Sequence, residues 1–208
     1  MTYKALIPVK RLTEVKSRLA PHLSQKQRAD LVLEMLRHVI DALQTSNALD
    51  AILVVSADPH VLAQASAWGA QPSPEEVPGH NEALHAAAIR ERNAGTGALL
   101  TISADLPLLH PDDIRQMRNL AEGHAVVLAP SRDGTGTNAL LTRPPLAIPY
   151  RFGPGSFQLH REAAQDLGLQ HTLYTSIGSA LDIDVIDDLT ALKYLKAEAV
   201  RNRNSLVS

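Results

Sequence analysis

Two kinds of hydrophobic pattern alternate along this chain. Short, largely apolar runs at 5–9, 51–56, 98–103 and 125–129 predict buried β-strands, and weaker runs at 138–142 and 171–176 predict two more. Between these runs, apolar residues recur every three or four positions, which indicates helices. Strands and helices that alternate in this way predict a layered α/β protein with a mostly parallel sheet.

Capping residues and prolines indicate where several helices begin. Ser24, followed three residues later by Gln27, fits a capping box ahead of apolar positions with helical spacing. Asp58 and Pro59 supply an N-cap and a first-turn proline for a helix to about residue 68, and Pro111 opens a helix to about residue 122. Further helices are predicted at 81–93, 156–167 and 187–197. The proline-rich segment 71–79 is predicted to be a turn region.

Length and composition narrow the architecture. A chain of 208 residues is long enough for one domain with a single core, which we place at 1–198. Hydrophobic residues make up 45% of the chain but aromatic residues only 3%, so Leu, Ile, Val and Ala must build the core. Residues 199–208 have weak periodicity and are predicted to be a frayed tail.

Charge and cysteine content exclude several classes of function. The net charge of -2 provides no overall field for nucleic acid or an anionic membrane. No apolar run approaches the roughly 18 to 20 residues that span a bilayer, and the short N-terminal run is interrupted by Pro8. The absence of cysteine excludes disulfides and thiolate chemistry and fits a reducing compartment. We therefore expect a cytoplasmic protein.

A basic loop follows the first predicted strand. It contains Lys10, Lys16 and Arg18, and this position at the carboxyl end of a strand favours a polyphosphate site. The alternative is a solvated charged loop, which is the common explanation for a basic run. The loop has neither the Walker pattern nor G-x-G-x-x-G, which disfavours a P-loop NTPase and a standard dinucleotide-binding protein.

Three aspartates are candidate metal ligands. Asp105 lies just past a predicted strand, where open α/β sheets bind ligands, although it could instead close a turn before Leu106 and Pro107. Asp182 and Asp184 point the same way in an extended segment, which is unfavourable unless they are solvated or bridged by a cation. Oxygen ligands of this kind suit Mg²⁺. The alternative is an acidic cap on the last helix.

Two glycine-bearing loops are candidate anion sites. In the first, at 133–138, glycines and the Thr137 hydroxyl can wrap an anion, but the same sequence also suits an ordinary hairpin turn. In the second, at 152–157, Gly153 and Ser156 lie at a predicted helix start, where donors can face a phosphate or carboxylate or merely cap the helix. Asn81 could contact a nucleotide or cap its own helix. His160, one turn beyond Ser156, could reach the same pocket but is interpreted as a surface residue of its helix.

The combination of these segments resembles the phospholactate guanylyltransferases of deazaflavin coenzyme F-420 biosynthesis. The two glycine loops together are the specific part of the resemblance. The matching segments are I-P-V-K at 7–10, K-S-R-L at 16–19, A-D-L-P-L-L at 104–109, R-D-G-T-G-T-N-A-L at 132–140, F-G-P-G-S-F at 152–157 and L-D-I-D at 181–184.

The resemblance implies a three-layer fold like that of nucleotide-diphospho-sugar transferases and transfer of GMP from GTP to a small phosphorylated carboxylic acid. The acid would be 2-phospholactate, phosphoenolpyruvate or 3-phosphoglycerate, and pyrophosphate would be released. A second enzyme would consume the product. A homodimer is plausible on the same basis. His80 departs from the small apolar residue expected at its position.

The resemblance also implies roles for individual residues. Magnesium would be held by Asp105, Asp182 and Asp184, and the acid by Thr137, Gly153 and Ser156. The triphosphate would be steadied by Lys10, Lys16 and Arg18, with Lys16 and the three aspartates forming the catalytic set and Asn81 a further nucleotide contact.

Two other functions compete with this one. The first is another nucleotidyltransferase, such as a molybdopterin guanylyltransferase or a sugar-phosphate nucleotidylyltransferase. Those enzymes typically place several glycines after the first strand, and this chain has none from Lys10 to Arg18. The second is a catalytically silent nucleotide-binding module, which retention of all three aspartates disfavours.

Overall fold

The structure, a computed structural model, describes residues 1–205 and is built around one seven-stranded sheet. The strand order is β3-β2-β1-β4-β6-β5-β7. The strands are β1 Tyr3–Pro8, β2 Ala51–Ser56, β3 Gln71–Pro74, β4 Ala98–Ile102, β5 Val126–Pro130, β6 Thr137–Thr142 and β7 His171–Leu173.

Helices connect most of the strands. They are α1 Gln25–Thr45, α2 Pro59–Ala67, α3 His80–Asn93, α4 Pro111–Gly123, α5 Ser156–Asp166, α6 Ile177–Ala180 and α7 Ile186–Ser205. The predicted capping box is present at α1, where the Ser24 hydroxyl accepts from the Gln27 amide and the Gln27 side chain accepts from the Ser24 amide. A short 3₁₀ turn, Ser17–Leu19, lies between β1 and α1.

The sheet is buried on both faces, so its core divides in two. In β1, Ala5 and Ile7 pack with residues of α1, α2 and α4, whereas Leu6 between them packs with residues of α3 and α5. Successive side chains of a strand point to opposite faces, which produces this alternation. The result is the predicted three-layer α/β architecture.

One strand reverses the sheet direction. β6 is antiparallel to both of its neighbours, β4 and β5, while the remaining pairs are parallel. The start of β6 therefore lies at the sheet edge where the parallel strands end. That edge receives the loops after β1, β3 and β4 together with the loop that joins β5 to β6.

The structure differs from the sequence prediction at three places. Part of the predicted turn region forms the edge strand β3, which tolerates Pro72 and Pro74 because an edge strand pairs on one side only. The predicted strand at 171–176 ends at Leu173, and the short helix α6 follows it. The last helix begins at Ile186 and continues to Ser205, beyond its predicted end.

The single domain at 1–198 and the frayed tail at 199–208 stay predictions, and residues 206–208 lie outside the described part of the chain. None of the helices described for residues 1–205 combines the length and the apolar character that crossing a membrane requires.

Candidate active site

Lys16 joins two carboxylates from distant parts of the chain. Its ammonium donates to Asp105, just after β4, and to Asp184 at 2.9 Å, just before α7. Burial alone would lower the pKa of Lys16, but the attraction of Asp105 and then of Asp184 outweighs it, and the pKa is raised. The charged form of Lys16 is therefore the stable one in this site.

Asp184 is positioned by the start of the last helix. The Asp188 carboxylate accepts hydrogen bonds from the backbone amides of Asp184 and Val185, both at 2.9 Å, and is paired with Arg132 at 2.8 Å. Burial would raise the pKa of Asp184, but the charge of Lys16 outweighs that effect and the pKa is lowered. Asp184 is thus held as a carboxylate facing Lys16.

Asp182 lies on the same extended segment in a more buried position. Its carboxylate accepts a hydrogen bond of 3.3 Å from the side chain of Asn138, the second residue of β6. Burial raises the pKa of Asp182, and the negative charge of Asp105 raises it further. A cation placed between Asp182 and Asp105 would relieve this repulsion.

The carboxylate oxygens of this site suit a divalent cation that takes its remaining ligands from water or substrate. Over the described residues, no group of three or more His, Cys, Asp or Glu side chains is placed so that it could hold a metal ion by itself. One oxygen of Asp105, Oδ1, is buried without a hydrogen-bond partner in the described structure. Mg²⁺ commonly takes one or two protein carboxylates and completes its shell with water and substrate phosphates. The free oxygen of Asp105 suits that mode of binding, and metal binding by Asp105, Asp182 and Asp184 together stays a prediction.

A cleft opens beside these carboxylates. We call it the carboxylate cleft; its volume is about 410 Å³, and Lys10, Lys16 and Arg18 line it. Arg18 is exposed, with its guanidinium 3.7 Å from Asp184. The three residues that are predicted to contact the triphosphate therefore border one cavity. Other lining residues include Asp105, Asp184, His80 and Phe152.

The two glycine loops are joined directly to each other. The Thr137 amide donates to the Ser156 hydroxyl at 2.9 Å, and the Phe157 amide donates to the Thr135 carbonyl at 3.2 Å. Gly153 has φ 133°, in the region that favours glycine, and open space where a side chain would begin. The predicted acid-binding residues therefore belong to one structural unit.

The two threonines of the first glycine loop differ in whether their hydroxyl groups are free to bind a ligand. The Thr135 hydroxyl donates to the carboxylate of Asp133, which also accepts from the Ser131 hydroxyl at 2.6 Å and from the Thr135 amide at 3.0 Å. These hydrogen bonds lower the pKa of Asp133 to about 2, and the bond from Ser131 has the largest effect. Thr135 is thus committed to shaping the loop, which leaves Thr137 as the candidate ligand.

His160 was wrongly interpreted as a surface residue, because it is fully buried. Its Nε2 accepts from the Arg151 amide at 2.9 Å, so Nδ1 carries the proton and donates to the Thr137 hydroxyl at 3.0 Å. Burial, and then the charge of Arg151, lowers the pKa of His160 to about 4. A neutral imidazole thus links both glycine loops. The sequence signal for this contact was the position of His160 one helical turn after Ser156.

Asn81 does not cap its helix, because α3 begins at His80 with no side-chain cap. Its side chain instead accepts from the Phe152 amide at 2.8 Å and donates to the Phe152 carbonyl at 3.0 Å. The Phe152 ring then packs against His160, with ring centroids 4.9 Å apart. Asn81 is therefore an anchor of the second glycine loop, and its direct contact with nucleotide stays a prediction.

His80 lies at the mouth of the carboxylate cleft. Its ring meets that of Phe152 edge to face, with centroids 5.9 Å apart. Burial, and then the charge of Lys10, lowers the pKa of His80, so the ring is neutral at pH 7. Aromatic rings from α3 and the second glycine loop thus border the basic side of the cleft.

The fold is shared with solved structures of sugar-nucleotide enzymes. A protein from Desulfovibrio desulfuricans G20, described as a nucleotide-diphospho-sugar transferase, has a TM-score of 0.77 and 16% identity, with 92% of this chain and 87% of that chain covered. Glucosyl-3-phosphoglycerate synthase from Mycobacterium tuberculosis, in complex with Mg²⁺ and uridine-diphosphate, has a TM-score of 0.60 and 16% identity, covering 83% and 68%. The protein thus has the fold of the nucleotide-diphospho-sugar transferases.

Sequence comparison identifies the family. A family model described as guanylyl transferase CofC like matches residues 3–206, and the chain belongs to that family of nucleotidyltransferases. The phosphoenolpyruvate guanylyltransferase of Rubrobacter xylanophilus is 43% identical over 93% of this chain and 94% of its own length. The 2-phospho-L-lactate guanylyltransferase of Methanothermobacter thermautotrophicus is 37% identical over 89% of this chain and 81% of its own.

Proposed function

We propose that this protein transfers GMP from GTP onto the phosphate of a small phosphorylated carboxylic acid and releases pyrophosphate, as a step in deazaflavin coenzyme F-420 biosynthesis. One observation carries the proposal: in a chain of the CofC-like family, Lys16, Asp105 and Asp184 meet in a cleft that Phe152 of the second glycine loop also lines. The basic residues of the cleft would take the triphosphate, and the glycine loops would take the acid.

The reaction needs positioning more than acid–base chemistry. An oxygen of the acceptor's phosphate forms a bond to the α-phosphorus of GTP, and the bond from that phosphorus to the oxygen bridging the β-phosphorus breaks. The bonding electron pair leaves with pyrophosphate. Because the acceptor phosphate is already ionised near neutral pH, no side chain has to remove a proton. Orientation of the two substrates and neutralisation of their charge supply the acceleration.

The basic residues of the carboxylate cleft would bind the triphosphate. Lys10 and Arg18 would attract its outer oxygens, and Lys16 would face the reacting phosphate from its place beside Asp105. Mg²⁺, held by Asp105, Asp182 and Asp184, would supply neutralisation of charge on the attacking and leaving oxygens. A lysine inside a carboxylate cluster suits this role, because its charge is already in place before substrate arrives.

The joined glycine loops would bind the acid. The Thr137 and Ser156 oxygens accept hydrogen bonds from His160 and from the Thr137 amide, so these bonds leave each hydroxyl proton for another acceptor. The left-handed backbone and open space at Gly153 allow a carboxylate or phosphate to approach the main chain. Phosphoenolpyruvate is the first acceptor to test, since the 43% identical relative is named for it.

Pyrophosphate release tests the proposal. Protein is incubated with GTP, MgCl₂ and phosphoenolpyruvate, 2-phospholactate or 3-phosphoglycerate separately, and the product is analysed by mass spectrometry. We expect a guanylylated acid with at least one of the three. Asp182→Asn and Asp184→Asn should each reduce the rate by about 100-fold or more, the loss typical of removing one preorganised charge-stabilising group. Asp187→Asn, an exposed neighbour, is the matched control.

Two outcomes contradict the proposal. Turnover of both asparagine variants at the wild-type rate would remove the aspartates from the reaction. Binding of GTP by calorimetry with no product from any of the three acids would favour the catalytically silent module. Use of a sugar phosphate or molybdopterin as acceptor would favour one of the other nucleotidyltransferases.

The wider setting belongs to the same proposal. A second transferase would consume the guanylylated acid, and the protein would act in the cytoplasm as a homodimer of single-domain subunits. Light scattering on the purified protein measures the oligomeric state directly, and a mass equal to one chain would contradict the dimer.

A further inference from the structure

A second cavity adjoins the carboxylate cleft, and its lining includes no residue of the two glycine loops. We call it the side cavity; its volume is about 520 Å³, which lies in the range of small-molecule sites. The two cavities share five lining residues, which makes them neighbours that one extended ligand can occupy together. The shared residues are Pro8, Val9, Lys10, Glu14 and His80.

The side cavity has a different chemical character from the carboxylate cleft. Asp105 and Asp184 line the cleft and not the side cavity. Val55, Ala83 and Leu84 of the second core face form the apolar part of its lining, and Arg11 and Glu75 are charged residues that line it and not the cleft. An apolar wall with a few charged groups suits a ring system that also forms hydrogen bonds. Its position one wall away from the basic residues fits the base end of a nucleotide.

Glu75 is an acidic residue that lines the side cavity but not the carboxylate cleft. Its backbone amide donates to the Ser56 carbonyl at 3.0 Å, which fixes it at the end of β3 beside the end of β2. Its neighbour Glu76 is paired with Arg90 at 2.7 Å, whereas the Glu75 carboxylate makes no ion pair or hydrogen bond in the part of the chain that the structure describes. The half-buried Glu75 carboxylate is therefore available to a ligand.

We propose that the side cavity binds the guanine base of GTP and that the Glu75 carboxylate accepts the two hydrogen bonds that guanine's N1–H and 2-amino group donate. This inference rests on the proposed function and adds the residue that selects the donor nucleotide. With the base in the side cavity, the chain of phosphates runs past Lys10 and His80 into the carboxylate cleft.

A carboxylate at this position discriminates among purines by charge and hydrogen bonding. Guanine presents two adjacent donors, which match the two oxygens of an ionised carboxylate. Adenine presents an acceptor at N1 and no amino group at C2, so its lone pair would face the negative charge. Hypoxanthine keeps the N1–H but lacks the amino group, so it forms one of the two bonds. Glu75 thus favours guanine over hypoxanthine and both over adenine.

An amide at the same position should change the preference in a defined way. Glu75→Gln keeps one acceptor but places an N–H₂ donor opposite the 2-amino group of guanine. Xanthine has an N1–H donor beside a carbonyl at C2, so a glutamine can accept from one and donate to the other. We expect kcat/KM for GTP to fall about 10- to 100-fold and kcat/KM for XTP to rise, in keeping with the discrimination typical of a bidentate contact.

The experiment measures pyrophosphate release with Mg²⁺, the acceptor that the wild-type protein uses, and GTP, ITP, XTP or ATP. Glu75→Ala should abolish the preference for GTP over ITP, because the group that senses the 2-amino substituent is gone. Glu76→Gln is the matched control and should keep the wild-type order of nucleotides. Thermal melting of each variant shows whether it is folded, and binding of a fluorescent GTP analogue reports the base contact without turnover.

The outcomes separate this inference from the function on which it rests. Failure of the wild-type protein to transfer any nucleotide to any of the acids would overturn the proposed function. Normal wild-type transfer together with an unchanged nucleotide order in folded Glu75→Gln and Glu75→Ala would overturn the assignment of Glu75. Glu14 lines both cavities. A change of preference from GTP to XTP in Glu14→Gln, and not in Glu75→Gln, would also overturn the assignment.

Discussion

Acidification should destabilise this protein through His160. The folded-state pKa of this fully buried imidazole is about 4, against 6.5 for an ordinary histidine. As pH falls below 6.5, the unfolded chain takes up the proton first, so the contribution of His160 to stability is complete at higher pH and is lost on acidification. The two pKa values correspond to about 3 kcal/mol in total, of which about 2 kcal/mol is lost between pH 7 and pH 5.

Urea unfolding followed by circular dichroism at pH 7, 6 and 5 measures this loss. Because other groups also titrate, the informative quantity is the difference in pH dependence between wild type and His160→Asn, whose amide can still donate to Thr137. The variant should lose about 2 kcal/mol less than wild type over this range. Thr137→Val, which keeps the imidazole, should retain most of the wild-type dependence. Equal dependence in wild type and His160→Asn would refute the argument.

Two further predictions concern the carboxylate cluster and a tightly packed glycine. Lys16→Met leaves Asp105 and Asp184 without their shared cation and should lower the free energy of unfolding by about 2 kcal/mol without metal, less than for a fully buried pair because Asp184 is half exposed. Mg²⁺ should then raise the melting temperature of the variant more than that of wild type. An equal or smaller rise in differential scanning fluorimetry would contradict this. Gly178→Ala would place a methyl group 2.6 Å from a backbone carbonyl and should cost about 1–3 kcal/mol in urea unfolding. Gly123→Ala meets nothing within 4 Å and should be neutral or slightly stabilising, so similar effects of the two substitutions would reject the steric explanation.

Local signals were sufficient for much of the fold. The continuous apolar run at 51–56 matches β2, and the capping box at Ser24 marks the start of α1. Both depend on neighbouring residues alone. β3 was missed because its two prolines oppose a strand locally, and only pairing with the edge of β2 makes it one. His160 was misassigned for a similar reason, since helical spacing says nothing of what covers a given face.

The candidate site was predictable in its composition but only partly in its contacts. Lys10, Lys16 and Arg18 line the carboxylate cleft with Asp105 and Asp184, whereas Asp182 is not among its lining residues. Sequence alone did not show that Lys16 pairs with carboxylates 89 and 168 positions away, because such convergence follows from the whole topology. The proposed role of Glu75 was also out of reach of the sequence, since it depends on a cavity bounded by β2, α3 and the loops that follow β1 and β3.

The single reversed strand has a consequence for how this protein can diversify. A purely parallel sheet offers its functional edge only segments that follow strands, each committed to a crossover back across the sheet. The connection from β5 to β6 is instead a compact hairpin that begins and ends at this edge. Insertions or deletions there can reshape the first glycine loop while leaving every helix crossover as it is, so under the proposed function that hairpin is where a change of acid costs the fold least.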